Sequence, residues 1–289
     1  EGGRAEPARR HAGMRVYRHV IGRPAAQNEI MFASGVGGAR DVPEQVFPSL
    51  HVPEDSTHAY AVVRHGNLRE IAVYLTTMAD LARGLPNWSK VVDFGDGVTS
   101  IEAWKDDLYV LTHKGASRGK VVSFKAGKSE LRRARTVVPE GDAVILDMAL
   151  AADALYLRST VGGLERLERL NFGLGASSKP EFVRTAFDVA ITQLITHPRR
   201  PGALLRTQGF IEAPAVLAVE AKTGDLRNTG LQPPPRADFA GMDEVRLYAP
   251  APDGAKVPVT LLYRKTTMLT GDNPTLYNIK LPVIETQAY

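Results

Sequence analysis

The chain has no cysteine among its 289 residues. This absence excludes disulfides, thiolate metal sites, iron–sulfur clusters and a cysteine nucleophile, but it does not decide between cytoplasm and periplasm. No uninterrupted apolar run approaches the roughly 18 residues of a membrane-spanning helix, so we expect no membrane segment. The start has neither a signal-peptide pattern nor an initiator Met. These features indicate a fragment of a longer protein, which we expect to be cytoplasmic, with the periplasm left open.

The chain also lacks a large excess of charge of either sign. The chain has 36 basic and 32 acidic side chains, a net charge of +4, and the two signs are interleaved. The densest basic stretch is the N-terminal "GGRAEPARRHAGMR", without aromatic residues that could stack on bases. We interpret residues 1–13 as a flexible lead-in and expect no nucleic-acid partner, despite a pI near 9.2.

Helical patterns are nearly missing, and short strands bounded by turn residues dominate. Only "TTMADLARGL" is predicted to be helical, and it is too brief for a βαβ crossover. One strand–turn–strand unit recurs: "HAYAVVRHG", "DLYVLTHKG", "ALYLRSTVGG" and "GALLRTQGF". Its anchors, Tyr60, Tyr109, Tyr156 and Leu204, are 49, 47 and 48 residues apart.

A period of 40–50 residues with about four strands per unit is typical of β-propeller blades. An all-β sandwich also has strands every 8–12 residues, but the three nearly equal spacings favour the propeller. The repeat carries neither a Trp-Asp nor a kelch signature. About four to five blades fit between Met14 and Gln232.

The periodic part ends at "LQPPPRADF", because a proline run cannot donate to a sheet and favours an extended connector. We place a domain boundary there, with blades over residues 14–235 and a second domain over 236–289. Two alternating segments, Glu244–Tyr248 and Val257–Tyr263, flank Asp253-Gly254, which is a strong hairpin signal. This predicted hairpin breaks the blade spacing.

The stretch "HKGASRGK" contains Gly-x-Ser-x-Gly, the pattern of a hydrolase nucleophile elbow. An elbow needs Ser117 at a strand-to-helix turn. Here "RGKVVSF" follows, which predicts a second strand, so the stretch is interpreted as a hairpin loop. We do not expect Ser117 to be a nucleophile.

Other candidate sites are weak. None of the seven histidines stands beside an evident carboxylate partner in the sequence, and Asp106-Asp107 is interpreted as a solvated turn. His51, His58 and His65 are seven apart, but Pro53 and "AYAVV" exclude the helix that would align them as metal ligands. The stretch "GVGGAR" lacks the strand, the helix and the Lys-Ser/Thr of a phosphate loop. No cofactor or metal is predicted.

Several features occur in the order seen in prolyl oligopeptidases, and especially in bacterial members. These are "HKGASRGKVV", "HPRRPGALLR", "LQPPPRADFAG" and "DGAKVPVTLLYRK…GDNPTL". The resemblance extends from about Met14 to Thr275. It implies a seven-bladed propeller that admits short peptides to an α/β-hydrolase domain, where a Ser-His-Asp triad cleaves after proline.

The resemblance places the triad downstream of this chain, which would then be a truncated, inactive portion: the last four to five blades and the first strands of the hydrolase domain. An incomplete ring would also expose apolar blade faces and favour self-association. After "NPTL" the family continues with a Gly-Tyr-Gly stretch, whereas this chain reads "YNIKLPVIETQAY". The oxyanion role is therefore not transferred to Tyr277.

The resemblance implies three substrate contacts. Phe47 aligns with an apolar residue of the family's substrate pocket, Arg64 with an arginine that faces the peptide, and Asn67 with a small polar or thiol residue that lines the site. An arginine can bind a peptide carbonyl or carboxylate with a charge-assisted hydrogen bond, although a solvated strand-end arginine is an equally good interpretation. The implied partners are short proline-containing peptides and the hydrolase domain. The alternative is a free-standing propeller that binds peptides or proteins without catalysis.

Overall fold

A computed structural model of the chain describes residues 12–128, 130–172, 180–183, 189–232 and 238–276. The chain divides into two compact units, Glu1–Pro235 and Arg236–Tyr289. Most of the predicted lead-in, the proline connector and the divergent tail from Tyr277 lie outside the described residues.

The first unit begins with a small antiparallel sheet of β1 (Val16–Arg18) and β2 (Glu29–Phe32). Four antiparallel sheets of four strands follow, each built from consecutive strands, and we call them blades 1 to 4. Blade 1 consists of β3 (Val46–His51), β4 (His58–His65), β5 (Ile71–Thr77) and β6 (Ser89–Val92). Blade 2 consists of β7 (Val98–Trp104), β8 (Asp107–Thr112), β9 (Lys120–Lys125) and β10 (Arg135–Val138).

Blades 3 and 4 repeat this plan. Blade 3 consists of β11 (Val144–Leu150), β12 (Ala154–Val161), β13 (Leu164–Asn171) and β14 (Glu181–Val183). Blade 4 consists of β15 (Ala190–His197), β16 (Arg200–Gln208), β17 (Ala215–Val219) and β18 (Leu226–Asn228). The repeat anchors Tyr60, Tyr109, Tyr156 and Leu204 all lie on the second strand of a blade. The predicted partial propeller is confirmed.

Blades 1 to 3 are packed on both faces, which explains why strands such as "AYAVV" are almost continuously apolar. Core clusters alternate with the sheets. One lies between the β1–β2 sheet and blade 1, one between blades 1 and 2, one between blades 2 and 3 and one between blades 3 and 4. The first strands β7, β11 and β15 contact one another in series. The first strands therefore form the inner edge of the blade array, as in propellers.

The predicted helix is confirmed as α1 (Met78–Ala82), with the Thr77 hydroxyl accepting a hydrogen bond from the Asp80 amide at 3.0 Å. None of the helices in the described ranges is long and apolar enough to cross a membrane. The apolar stretch "KVVDF" (Lys90 to Phe94) predicts a strand, but β6 ends two residues earlier, at Val92. Asp93 then caps a 3₁₀ turn over Phe94–Asp96 by accepting from the Phe94 amide at 2.9 Å.

Hydrogen bonds from backbone amides to turn carboxylates join neighbouring blades. Asp106, in the β7–β8 turn, accepts from the Thr57 amide of blade 1 at 2.8 Å. Asp153, in the β11–β12 turn, accepts from the Gly202 amide of blade 4 at 2.8 Å. Asp106 lies in a turn, as the sequence predicts, but its carboxylate is bound by residues of blade 1 as well as partly exposed to solvent.

A longer connection involves blades 1 and 4. Glu54 lies in the β3–β4 turn and Arg199 in the β15–β16 turn, and their side chains form an ion pair. Both turns follow the first strand of their blade. The pair therefore links blades that are separated by two others in the chain order.

The second unit contains the predicted hairpin. Strands β19 (Met242–Pro250) and β20 (Lys256–Arg264) pair antiparallel from Met242–Arg264 to Pro250–Lys256. The turn between them closes with a hydrogen bond from the Ala251 amide to the Ala255 carbonyl at 2.8 Å. Gly254 has φ +84°, a conformation that favours glycine. The hairpin signal of Asp253-Gly254 is confirmed.

Candidate functional site

Two of the three candidate substrate contacts are direct neighbours on blade 1. Phe47 of β3 and Arg64 of β4 are opposite each other in the antiparallel register, so their side chains lie on the same face about 5 Å apart at Cβ. Phe47 is 41% exposed, and Arg64 is also exposed. An apolar ring and a guanidinium are thus presented side by side at the inner edge of the blade.

The third candidate, Asn67, lies in the turn between β4 and β5. The Leu68 amide donates to the His65 carbonyl at 3.0 Å, and Gly66 provides the left-handed conformation with φ +54°. Asn67 is exposed in this turn. Phe47 lies near the start of β3 and Arg64 near the end of β4, so all three residues belong to the same end of blade 1.

The sequence interpretation missed a polar row beside Phe47. Ser49 and His51 follow at alternate positions of β3, and their side chains hydrogen-bond through Oγ and Nε2 at 2.9 Å. The His51 ring stacks on the Tyr60 ring with centroids 4.9 Å apart and planes 3° from parallel. The period-two pattern of "VFPSLH" is the signal that predicts one exposed face for these residues.

Two pKa shifts define the electrostatics of this row. Burial, and then the positive charge of Arg64, lower the pKa of His51, which favours the neutral imidazole. Burial, and then the negative charge of Glu102, raise the pKa of Tyr60, so its hydroxyl keeps its proton. The row therefore offers uncharged polar groups next to one permanent cation, Arg64.

An acidic pair lies further along the first strands. Burial, and then the negative charge of Asp147, raise the pKa of Glu102 to about 7. Glu102 is on β7 opposite Tyr109, and Asp147 is on β11, whose strand contacts β7. The sequence gives no sign of this pairing, because it depends on two blades meeting.

Ser117 lies in a turn between strands β8 and β9, not at the start of a helix. Its hydroxyl donates to Glu140 Oε1 at 3.1 Å, and the Arg118 amide donates to the same oxygen at 2.8 Å. Gly115 and Gly119 have φ +64° and +87°. Ser117 is thus a turn residue bound to a carboxylate, and the elbow pattern arises from the turn's glycines.

His113 has a carboxylate partner that does not stand beside it in the sequence. Its Nε2 is 2.8 Å from Glu70 Oε1 on the neighbouring blade. Glu70 is partly buried, which opposes ionisation, but the hydrogen bond from His113 contributes to a net lowering of its pKa. The 43 residues between the two side chains hide this pair from the sequence.

The histidines spaced by seven have separate environments. His51 is on β3, whereas His58 and His65 are at opposite ends of β4. His58 Nδ1 is 4.0 Å from Asp106 Oδ1, and the His65 ring packs near Phe94 with centroids 6.0 Å apart. The three histidines lie on strands and not on a helix that would align them as metal ligands, as the sequence predicts.

Comparisons with known proteins agree with this architecture. Residues 3–228 match the family described as the prolyl oligopeptidase N-terminal β-propeller domain. The chain is 24% identical to the dipeptidyl aminopeptidase BI of Pseudoxanthomonas mexicana, over 91% of this chain and 35% of that protein.

Solved structures show the same fold. Prolyl oligopeptidase B from Galerina marginata superposes with a TM-score of 0.74 and 16% identity, over 91% of this chain and 36% of that one. Oligopeptidase B from Trypanosoma brucei superposes with a TM-score of 0.69 and 20% identity, over 88% and 36%. The chain therefore spans about a third of the length of the relatives that it matches.

Proposed function

Because this chain belongs to the prolyl oligopeptidase family and contains part of its propeller, we propose that it is the substrate-gating portion of a serine peptidase that cleaves short peptides after proline. In this proposal the second unit, Arg236–Tyr289, is the start of the hydrolase domain. The Ser-His-Asp triad belongs to the rest of that domain. The chain then contributes substrate contacts and restricts access, but does not cleave.

The observation that carries the proposal is the pairing of Phe47 with Arg64 at the inner edge of blade 1. The Phe47 ring can pack against a proline ring, and the Arg64 guanidinium can donate to a peptide carbonyl. Asn67 provides a polar side chain at the same end. His51 favours its neutral form beside Arg64 and so adds little positive charge to the site.

Peptide binding tests these roles. We expect acetyl-Ala-Gly-Pro-Ala amide to bind the chain in calorimetry, and Arg64→Ala to weaken binding about tenfold, as expected for loss of a charge-assisted hydrogen bond. Arg227→Ala is the matched control, since Arg227 is exposed on β18 of blade 4. Equal binding by wild type and Arg64→Ala would remove Arg64 from the site.

Catalysis provides a separate test. The chain alone is expected to show no turnover of a Gly-Pro reporter peptide, because the Ser117 hydroxyl faces Glu140. Turnover that disappears in Ser117→Ala would contradict the proposal.

A further inference from the structure

A cleft lies between blades 1 and 2, beside their last strands β6 and β10. Its volume is about 560 Å³, and it lies between β6 of blade 1 and β9 and β10 of blade 2. Its apolar lining includes Val91, Val122, Leu131 and Ala134, which pack on the core between the two blades. The cleft thus has an apolar floor that continues into the protein core.

Basic side chains dominate the rim of this cleft: Lys90, Lys114, Lys120 and Arg132, against Asp96 and Glu130. Lys114 Nζ lies 2.9 Å from Asp96 Oδ1, and Arg132 pairs with Glu130. Lys90 Nζ is 3.6 Å from Asp93 Oδ2. Three of the four rim cations are thus paired with carboxylates, and the complementarity of the rim to negative charge depends on Lys120.

Lys120 differs from the other three. In the described part of the chain no carboxylate oxygen lies within 4.0 Å of its ammonium group. The pKa of the exposed Glu140 is lowered mainly by the hydrogen bond from the Arg118 amide, and the charge of Lys120 adds to this effect. Lys120 therefore retains donors for a bound anion.

The cleft also borders sheet edges. In the described residues, β6 ends the blade 1 sheet and β10 ends the blade 2 sheet, so each strand has one edge without a neighbouring strand. An extended peptide can bind such an edge through its backbone, and its alternate side chains then point to opposite sides at about 3.3 Å per residue.

We propose that this cleft binds an extended acidic peptide segment. The carboxylates of the peptide contact the rim, with Lys120 as the principal anchor. The alternate aliphatic side chains of the peptide pack on the apolar floor, which includes Val91 and Leu131. The site is separate from the Phe47–Arg64 site, because β3 and β6 are at opposite edges of blade 1. It would hold a regulatory or partner segment rather than a peptide to be cleaved.

Calorimetry with acetyl-Glu-Val-Glu-Leu-Glu-Val amide tests this site. We expect binding that weakens at high salt, since exposed charges are screened, and no binding of the peptide with Lys in place of each Glu. Lys120→Glu should weaken binding about tenfold or more. Lys128→Glu makes the same charge change on the exposed surface of the same blade and should have less than a twofold effect.

Three outcomes would overturn the proposal. These are no binding to the wild-type chain at low salt, equal weakening by Lys128→Glu, and unchanged binding in Lys120→Glu. If Lys120→Glu fails to fold, Lys120→Gln is used instead. This variant is expected to weaken peptide binding about threefold, and unchanged binding would overturn the proposal. If Phe47→Ala loses binding of the acidic peptide and Lys120→Gln does not, the peptide binds at the Phe47–Arg64 site. This result would also overturn the proposal.

Discussion

Glu102 shows how burial of one carboxyl group couples stability to pH. Its pKa is raised to about 7 in the folded chain, against an ordinary value near 4.5. Between these two values the folded state holds a proton that the unfolded chain releases. The free energy of unfolding therefore contains a contribution that is present below about pH 4.5 and is lost as the pH rises towards 7.

We expect Glu102→Gln to be more stable than wild type at pH 8, by about 1 kcal/mol after allowing for partial solvent screening. The difference should shrink at pH 5, because the wild-type carboxyl is then protonated when folded. Urea unfolding at both pH values measures it. Glu220→Gln, at an exposed position, should show no such pH dependence, and a constant difference between pH 5 and 8 for Glu102→Gln would contradict the assignment.

Ser117 gives a prediction of a different kind. Its hydroxyl bond to Glu140 is exposed and adds to the Arg118 amide bond on the same oxygen. We expect Ser117→Ala to lower the free energy of unfolding less than Glu140→Ala does, since the latter removes both bonds. Denaturant titrations compare the two; a larger loss in Ser117→Ala would show that the turn depends on the hydroxyl.

Single residues also show where sequence reasoning stops. Phe47 and Arg64 could be named from a resemblance, and the alternation of β3 could have added Ser49 and His51. Glu102 could not be found, because its shifted pKa depends on Asp147 from another blade. Partners that are distant in the chain and brought together by sheet packing leave no local pattern.

At the scale of elements, one glycine is required by close packing between strands. Gly202 on β16 has φ +84°, and a Cβ there would lie 2.5 Å from the Val219 carbonyl oxygen of β17. Its amide also donates to Asp153 of blade 3. The strand therefore has no space for a side chain at this position.

We expect Gly202→Ala to destabilise the chain by about 2 kcal/mol or more, because left-handed strain and a backbone clash add together. Gly162→Ala is the control: its φ is +56°, but a Cβ would meet no atom within 4 Å, so about 1 kcal/mol is expected from strain alone. Thermal unfolding of the two variants tests the difference, and equal losses would show that the Val219 carbonyl moves away without cost.

The strands were the most predictable elements, because apolar runs of five to eight residues that are separated by turn residues are too short for most helices and fit buried strands. The boundary of β6 was less predictable. Asp93 fits a strand pattern by position, but its side chain caps the following 3₁₀ turn. Capping depends on a side-chain hydrogen bond that competes with the ladder, and hydrophobic patterns do not record it.

At the scale of the whole molecule, the second unit exposes an apolar face. Leu247 and Val259 are opposite each other across the hairpin and are 50% and 41% exposed. Val257, which is opposite Ala249 on the same face of the hairpin, is 47% exposed. Contiguous exposed apolar residues favour association.

We therefore expect the chain to self-associate with rising concentration in sedimentation velocity. The double variant Leu247→Glu and Val259→Glu should shift the equilibrium towards monomer, because it places two charges on the shared face. Leu85→Glu replaces an exposed leucine of the first unit and should leave association unchanged. A concentration-independent monomer for the wild type would exclude this apolar face as an association surface.

The Glu54–Arg199 ion pair has a consequence for the order of folding. The two residues are 145 positions apart (199 − 54), and their turns can meet only after the intervening blades have taken their places. Contacts at such long separation bear a large loop-closure entropy, so this one should form last. In a refolding experiment, a donor and acceptor dye pair placed in these two turns, at positions other than 54 and 199, should report a slower phase than the appearance of β-sheet circular dichroism. Simultaneous phases would mean that the array closes in one step.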